Sequence, residues 1–236
     1  IEGLRFPAHA TIEAHHEVPQ QVNLLPTGAR EPRARSRVLR MIRLELALTL
    51  DYDIAPPGGD FIFNIHAART QRQHVLSESL NLNQNLVTQV QTDPATLNRY
   101  LRLQAYGGPL KVSYRATVDL QHHFAPPGNI DELPVARLPA AVLSYLYPSR
   151  YCQSDRLQEL AMREFGQLTH GYGRVQAVRD WVLQRTTFTP NTSNANTSAI
   201  DTLVEHVGVC RDFAHLMIAL CRALNIPARF TSGIDY

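Results

Sequence analysis

Gly208-Val209-Cys210-Arg211-Asp212-Phe213-Ala214-His215-Leu216, with Ala223-Leu224-Asn225-Ile226-Pro227-Ala228-Arg229 behind it, places one cysteine at the start of an apolar helix that a strand then follows. The first-turn N–H groups of a helix have no partner inside it. Together with the macrodipole they stabilise negative charge, so a cysteine at that position ionises and attacks more readily. Cys210 is therefore a candidate nucleophile, and the backbone N–H groups around it are the natural place for an oxyanion.

The other chemistry-bearing residues near this helix have plainer readings. Cys221 lies mid-helix among Leu220, Ala223 and Leu224 and reads as a small buried hydrophobe, as does Cys152. Three cysteines are an odd and sparse set for a disulfide framework, and Cys210 and Cys221, eleven residues apart on one helix, are separated by about 16 Å. Asp212 reads as a helix-start carboxylate. His215, five residues past Cys210, points about 140° away from it around the helix and is rejected as its base. Ser198 followed by Asp201 predicts a short helix reaching His206 and ended by Gly208. His206 could approach the thiol, although an exposed histidine at a helix C-terminus, favoured there by the dipole, is the simpler expectation. The polar loop 190–197 arrives beside the Cys helix, which makes Asn194 and Asn196 substrate-cleft candidates; the alternative is a solvated connection. The spacing of His206, Cys210 and His215 matches no zinc pattern, so no metal is expected. Arg229 could meet a substrate carboxylate or stitch its strand to a neighbouring one. Trp181 reads as core, with an indole N–H that needs a partner.

The whole pattern resembles the transglutaminase-like superfamily, papain-related cysteine enzymes whose nucleophile sits in a Gly-x-Cys-x-Asp-x-Ala-x-Leu helix followed by a Gly-Ile-Pro-Ala-Arg-like strand. The resemblance covers Gly208, Cys210, Asp212, Ala214, Leu216, Arg222, Ile226, Pro227, Ala228, Arg229 and Gly233. Asn225 stands where the family usually has glycine, and asparagine also tolerates the left-handed conformation after a helix. What the resemblance implies is attack by Cys210 on a carboxamide or peptide carbonyl to give a thioester. The acyl group then passes to water, as in an amidase or protease, or to an amine, as in cross-linking. The implied partner is a peptide or protein amide substrate, and no cofactor is implied. The family's His and Asp lie downstream of the Arg229 strand, past Tyr236, so the expectation is a truncated core in which residues 1–236 are inactive by themselves. A non-catalytic peptide-binding or scaffold protein on the same fold is the alternative.

The remainder of the chain is organised around this core. A length of 236 residues with 44% hydrophobic content suffices for one or two cores, and a net charge of +2 names no partner. Nucleic-acid binding gains little support. No apolar run is long enough to span a bilayer and no signal pattern is present, so a cytoplasmic protein is the default expectation. Residues 1–40 are basic and aperiodic, with no core written in them, and read as a disordered or non-native extension ahead of a natural start at Met41, with a genuine basic tail as the alternative. From there Ile42, Leu44, Leu46, Leu48, Leu50, Tyr52 and Ile54 alternate as a half-buried strand until Pro56-Pro57-Gly58-Gly59 predicts a turn. Further runs at 61–65, 76–82, 97–105 and 110–120 complete a β-rich domain over 41–123. It resembles the β-rich region that precedes bacterial transglutaminase-like cores. A Pro-rich linker, 124–150, with one ordered piece from Ala140 to Tyr147, leads into helices over 155–168 and 175–183 in the core, 151–236. The expected fold class is α+β: an antiparallel β-sandwich-like domain, then the helical first part of a papain-like transglutaminase core.

Overall fold

Two strands of 23 residues each form the spine of the N-terminal unit. In the computed structural model, which describes residues 9–17 as backbone and residues 41–122 and 125–233 in full, the chain divides into units centred on 1–123 and 124–233. The first contains β1 (His9–Glu17), β2 (Met41–Phe63), β3 (Gln73–Leu82), β4 (Thr88–Thr92) and β5 (Arg99–Gln121). All pair antiparallel, in the order β1-β2-β5-β3, with β4 also on β5. β2 and β5 pair from Met41 opposite Gln121 to Phe63 opposite Leu101.

The inward parity changes within both long strands at the same level. In β5 the buried positions are Leu101, Leu103 and Ala105, and then Leu110, Val112, Tyr114, Ala116 and Val118. In β2 the change falls between Ile54, opposite Gly108, and Gly58, opposite Tyr106, where the register shifts. Pro56-Pro57-Gly58-Gly59, expected as a turn, is thus a bulge inside a continuous strand. Proline has no N–H for the ladder and is tolerated at such an interruption. Gly58 (φ +113°) is required there, since a Cβ would sit 2.2 Å from the Ala105 carbonyl oxygen. Tyr52 and Phe63, eleven residues apart, would stand about 36 Å apart on a straight strand. Their ring centroids are 5.8 Å apart. The sheet therefore folds over on itself, and its two halves enclose Ile54, Phe63, Leu101, Leu103, Leu110 and Val112. That is how a single sheet makes the expected sandwich-like layering.

Three features depart from the sequence expectations. The runs 97–105 and 110–120 are one strand, because Gly107-Gly108-Pro109 bends β5 without breaking its pairing to β2. β4 was not foreseen; all five of its residues are exposed, so no alternation marks it. Within 1–40, expected to carry no core, His9–Glu17 runs as β1 against Arg43–Asp51, while 1–8 and 18–40 lie outside the described residues.

The second unit holds α1 (Gln158–Phe165), α2 (Tyr172–Arg185), β6 (Thr187–Phe188), α3 (Ala199–Glu205), β7 (Val207–Gly208) and α4 (Cys210–Ala223). α4 is the central element: Leu216, Ala219 and Leu220 are fully buried, packed with Ala161 of α1, Val178 of α2 and Ala199 of α3. α1 begins later than the periodicity suggested because Ser154–Arg156 forms a 3-10 turn ahead of it. The Trp181 indole N–H donates to Glu164 at 3.0 Å, and the Arg185 guanidinium lies 4.2 Å from the Trp181 ring centroid.

Within the Pro-rich stretch, residues 125–150 are not a free connector. Glu132 accepts two hydrogen bonds from the Arg174 guanidinium, which is only 4% exposed and could not be left unpaired. The Tyr172 N–H donates to the Ile130 carbonyl at 2.9 Å, and the Ala228 N–H to the Tyr145 carbonyl at 3.1 Å. Ala140–Leu146 is a 3-10 helix, matching the expected ordered piece. Among the described residues no helix is long and apolar enough to cross a membrane.

Candidate active site

α4 starts at Cys210 for a local reason. Val209 is extended (φ −103°, ψ 175°), and Asp212, three residues on, turns its carboxylate back so that Oδ2 accepts the Val209 N–H at 2.8 Å. The Val209 carbonyl accepts the N–H groups of Asp212 at 2.8 Å and Phe213 at 3.2 Å. A trans peptide directs its N–H opposite to its C=O. With the Val209 carbonyl held into the helix, the Cys210 N–H points out of the helix end, and it and the Arg211 N–H have no partner inside the helix.

Cys210 is exposed, whereas Cys152 and Cys221 are buried. Burial raises the Cys152 thiol above its ordinary range and pushes Cys221 up to about 12. The two buried thiols are correspondingly poor nucleophiles.

Asp212 is fully buried beneath this turn. Its Oδ1 accepts the Ser193 hydroxyl at 2.8 Å and lies 3.5 Å from Arg211 Nε. The Arg211 guanidinium also donates to Ser193 Oγ and, at 2.7 Å, to the Asn194 carbonyl. Asp212, Ser193 and Arg211 therefore form a closed ring that ties loop 190–197 to the first turn of α4. Elsewhere the Asn194 side-chain oxygen accepts the Asn196 N–H at 2.8 Å, and the Asn196 side-chain oxygen accepts from Arg150 at 3.0 Å. The Tyr151 hydroxyl donates to the Ala195 carbonyl at 2.7 Å. Asn194 and Asn196 lie in the expected loop, and their carboxamide oxygens hold its shape. Ser193 was missed from the sequence, since nothing in its spacing from Asp212 marks a partnership across 19 residues.

The histidines are placed as follows. His206, in the left-handed conformation (φ 57°), ends α3; Gly208, expected in that role, lies in β7 instead. The His206 side chain is exposed, with Nδ1 3.0 Å from the Arg185 carbonyl at the end of α2. His215 is 8% exposed, stacked on Tyr151 (centroids 5.2 Å, interplanar 6°) and tilted against Phe230 at 5.5 Å. Its buried Nδ1 has no partner among the described residues. Burial, then the Arg211 charge, lowers the His215 pKa, with Asp212 opposing. Among the described residues no histidine hydrogen-bonds the Cys210 thiol. Arg229 is exposed and reaches the Tyr145 hydroxyl at 3.5 Å; no carboxylate pairs with it among the described residues.

Residues 158–236, from the first residue of α1 through the Cys210 helix, match the family model of the transglutaminase-like superfamily, and residues 42–141 match that of the bacterial transglutaminase N-terminal domain. The chain thus carries a transglutaminase-like core preceded in sequence by a bacterial transglutaminase N-terminal domain. The crystal structure of a "putative cysteine protease" from Cytophaga hutchinsonii is 40% identical with a TM-score of 0.73, covering 79% of this chain and 64% of that one. An uncharacterized protein of Mycobacterium leprae is 37% identical over 59 residues, which is 25% of this chain and 21% of that protein. The chain thus spans less than two thirds of either relative. The superfamily core here places an exposed cysteine at a helix start and a buried carboxylate in the same turn.

Proposed function

We propose that Cys210 is the nucleophile of a cysteine enzyme that cleaves or transfers amide acyl groups through a thioester. The carrying observation is that Cys210 alone of the three thiols is exposed, at the first position of α4, beside its own outward N–H. The thiolate sulfur attacks the carbonyl carbon, the C=O electron pair moves onto oxygen, and the Cys210 N–H receives that oxyanion. Collapse breaks the C–N bond and the amine leaves with a proton. Water or a second amine then takes the acyl group from sulfur, as in a hydrolase or an acyltransferase. The Cytophaga protein's description as a "putative cysteine protease" supports a peptide or protein substrate. Three unpaired thiols support a reducing compartment, the cytoplasm.

Proton transfer requires a base that neither His206 nor His215 supplies at the thiol. General base catalysis contributes about 10² to 10⁴ in rate. By family resemblance a downstream His oriented by an Asp fills that role, and residues 1–236 alone are then inactive on amides. The absence of an imidazole at the thiol among the described residues equally favours the second reading, a scaffold that binds peptides without turning them over. Brief iodoacetamide treatment near neutral pH with mass-spectrometric mapping tests the nucleophile assignment. The enzyme reading expects Cys210 to be labelled well ahead of Cys152 and Cys221; preferential labelling of either buried cysteine removes the nucleophile assignment.

A further inference from the structure

We infer that Asp212 and Ser193 are positioning residues that aim the oxyanion donor at Cys210, separate from any part in thiol activation; this rests on Cys210 being the nucleophile. The Cys210 N–H belongs to the peptide unit whose carbonyl is that of Val209, so its direction is set by how Val209 is held. Val209 is held at both ends by one residue. Its N–H bonds to Asp212 Oδ2 at 2.8 Å, and its carbonyl accepts the backbone N–H of the same Asp212 at 2.8 Å. The remaining carboxylate oxygen is fixed by Ser193 Oγ at 2.8 Å, and Ser193 is braced in turn by Arg211, the residue after the nucleophile. Asp212 has no exposed surface and so cannot touch substrate. Cys210 lies about 200° away from it around the helix, so the carboxylate acts on the backbone and not on the sulfur.

This geometry separates two reactions of one thiol. Alkylation by iodoacetamide forms a C–S bond with loss of iodide and develops no oxyanion. Acylation by p-nitrophenyl acetate forms the thioester C–S bond, expels p-nitrophenolate, and passes through a tetrahedral oxyanion that the aimed N–H stabilises. Both need the thiolate, so the ratio of their rates at Cys210 cancels the ionised fraction. A single oxyanion donor contributes about 10² to 10³ in rate, and small misplacements of such groups can cost about 10²-fold.

The test measures both rate constants at Cys210 by intact-mass and peptide mapping, in the chain of residues 1–236 and its Ser193→Ala, Asp212→Asn and Asp212→Ala variants. Ser193→Ala and Asp212→Ala should lower the acylation-to-alkylation ratio by about 10- to 100-fold with alkylation within about twofold. Asp212→Asn, whose side-chain oxygen can still accept the Val209 N–H, should retain most of the ratio. Parallel slowing of both reactions, or an unchanged ratio in Ser193→Ala, would overturn the positioning role. If Asp212→Ala fails to fold by circular dichroism, Ser193→Ala and Asp212→Asn decide the matter. If the unsubstituted chain is modified first at Cys152 or Cys221, the nucleophile reading itself fails, an outcome distinct from an unchanged ratio.

Discussion

Gly208 and Asp212 touch so closely that no side chain fits between them: a Cβ on Gly208 would stand 2.8 Å from Asp212 Cβ and 3.2 Å from its Oδ2. The glycine before the nucleophile is therefore there to admit the buried carboxylate that organises the helix start. Its backbone needs no unusual φ, so the requirement is space. Gly208→Ala should destabilise the second unit by about 1–3 kcal/mol, the usual cost of an added group in a packed site. It should also depress Cys210 acylation, because the atom it displaces is the one that holds Val209. Urea unfolding alongside the acylation rate checks both; an alanine variant of unchanged stability would mean the turn relaxes freely.

Glu78 anchors the N-terminal unit. It accepts from Arg99 at 2.7 and 2.8 Å and from the Tyr114 hydroxyl at 2.9 Å, and Arg69 reaches it from the surface at 2.9 Å. The Arg99 hydrogen bonds first, then that of Tyr114, hold its carboxyl down at about 2. A carboxyl held below its unfolded value stabilises the fold at pH above the unfolded pKa and loses that contribution as pH falls through the folded one. The contribution is on the order of 3 kcal/mol and should disappear between about pH 4.5 and about pH 2. Glu78→Gln should flatten the acid limb of unfolding measured by tryptophan-independent circular dichroism, and an unchanged limb would contradict the assignment.

His215 should act in the opposite sense to a histidine with an acidic partner. Its ring faces Tyr151 and Phe230, with Arg211 and Asp212 as the charges that act on it, and the net effect lowers its pKa. The unfolded chain then binds the proton more readily, so stability is present above the ordinary histidine pKa of about 6.5 and declines as pH falls below it. His215→Phe keeps the stack and should remove this dependence from the unfolding of the second unit, monitored by Trp181 fluorescence.

Glu132→Ala leaves the Arg174 guanidinium, 4% exposed, without its carboxylate. Breaking a buried pair from one side costs about 3–5 kcal/mol. The expected result is a strongly destabilised second unit in which residues 125–150 become sites of limited proteolysis. Unaltered protection would make that stretch a spacer after all.

What the sequence disclosed follows the range of the interactions involved. The Cys210 helix was legible because a glycine, a cysteine, an acid and an apolar stripe at fixed offsets are local signals, as was the Ser198–Asp201 helix start, seen as Ser198 N–H and Oγ–H donating to Asp201 at 2.8 and 2.7 Å. The alternation in β2 and β5 was legible too, but not the continuity of each strand. Whether Pro56-Pro57-Gly58-Gly59 turns the chain or bulges it depends on β5 pairing on both sides of it. Long-range partnerships were hidden for the same reason. Ser193 with Asp212, Glu132 with Arg174 and Trp181 with Glu164 lie 17 to 42 residues apart, and no period links them.

The central claim is that Cys210 carries amide chemistry and needs an imidazole that the described residues do not bring to it. The most direct measurement is ammonia release from a glutaminyl peptide, with and without an added amine. It compares residues 1–236, a longer polypeptide carrying the family's downstream His and Asp, and Cys210→Ala in each. The account predicts no turnover by residues 1–236 and Cys210-dependent turnover by the longer polypeptide. Turnover by residues 1–236 that is lost in Cys210→Ala would place a base within them, with His206 the first suspect, and a longer polypeptide that binds peptides but turns over no amide would contradict the enzyme reading in favour of the scaffold.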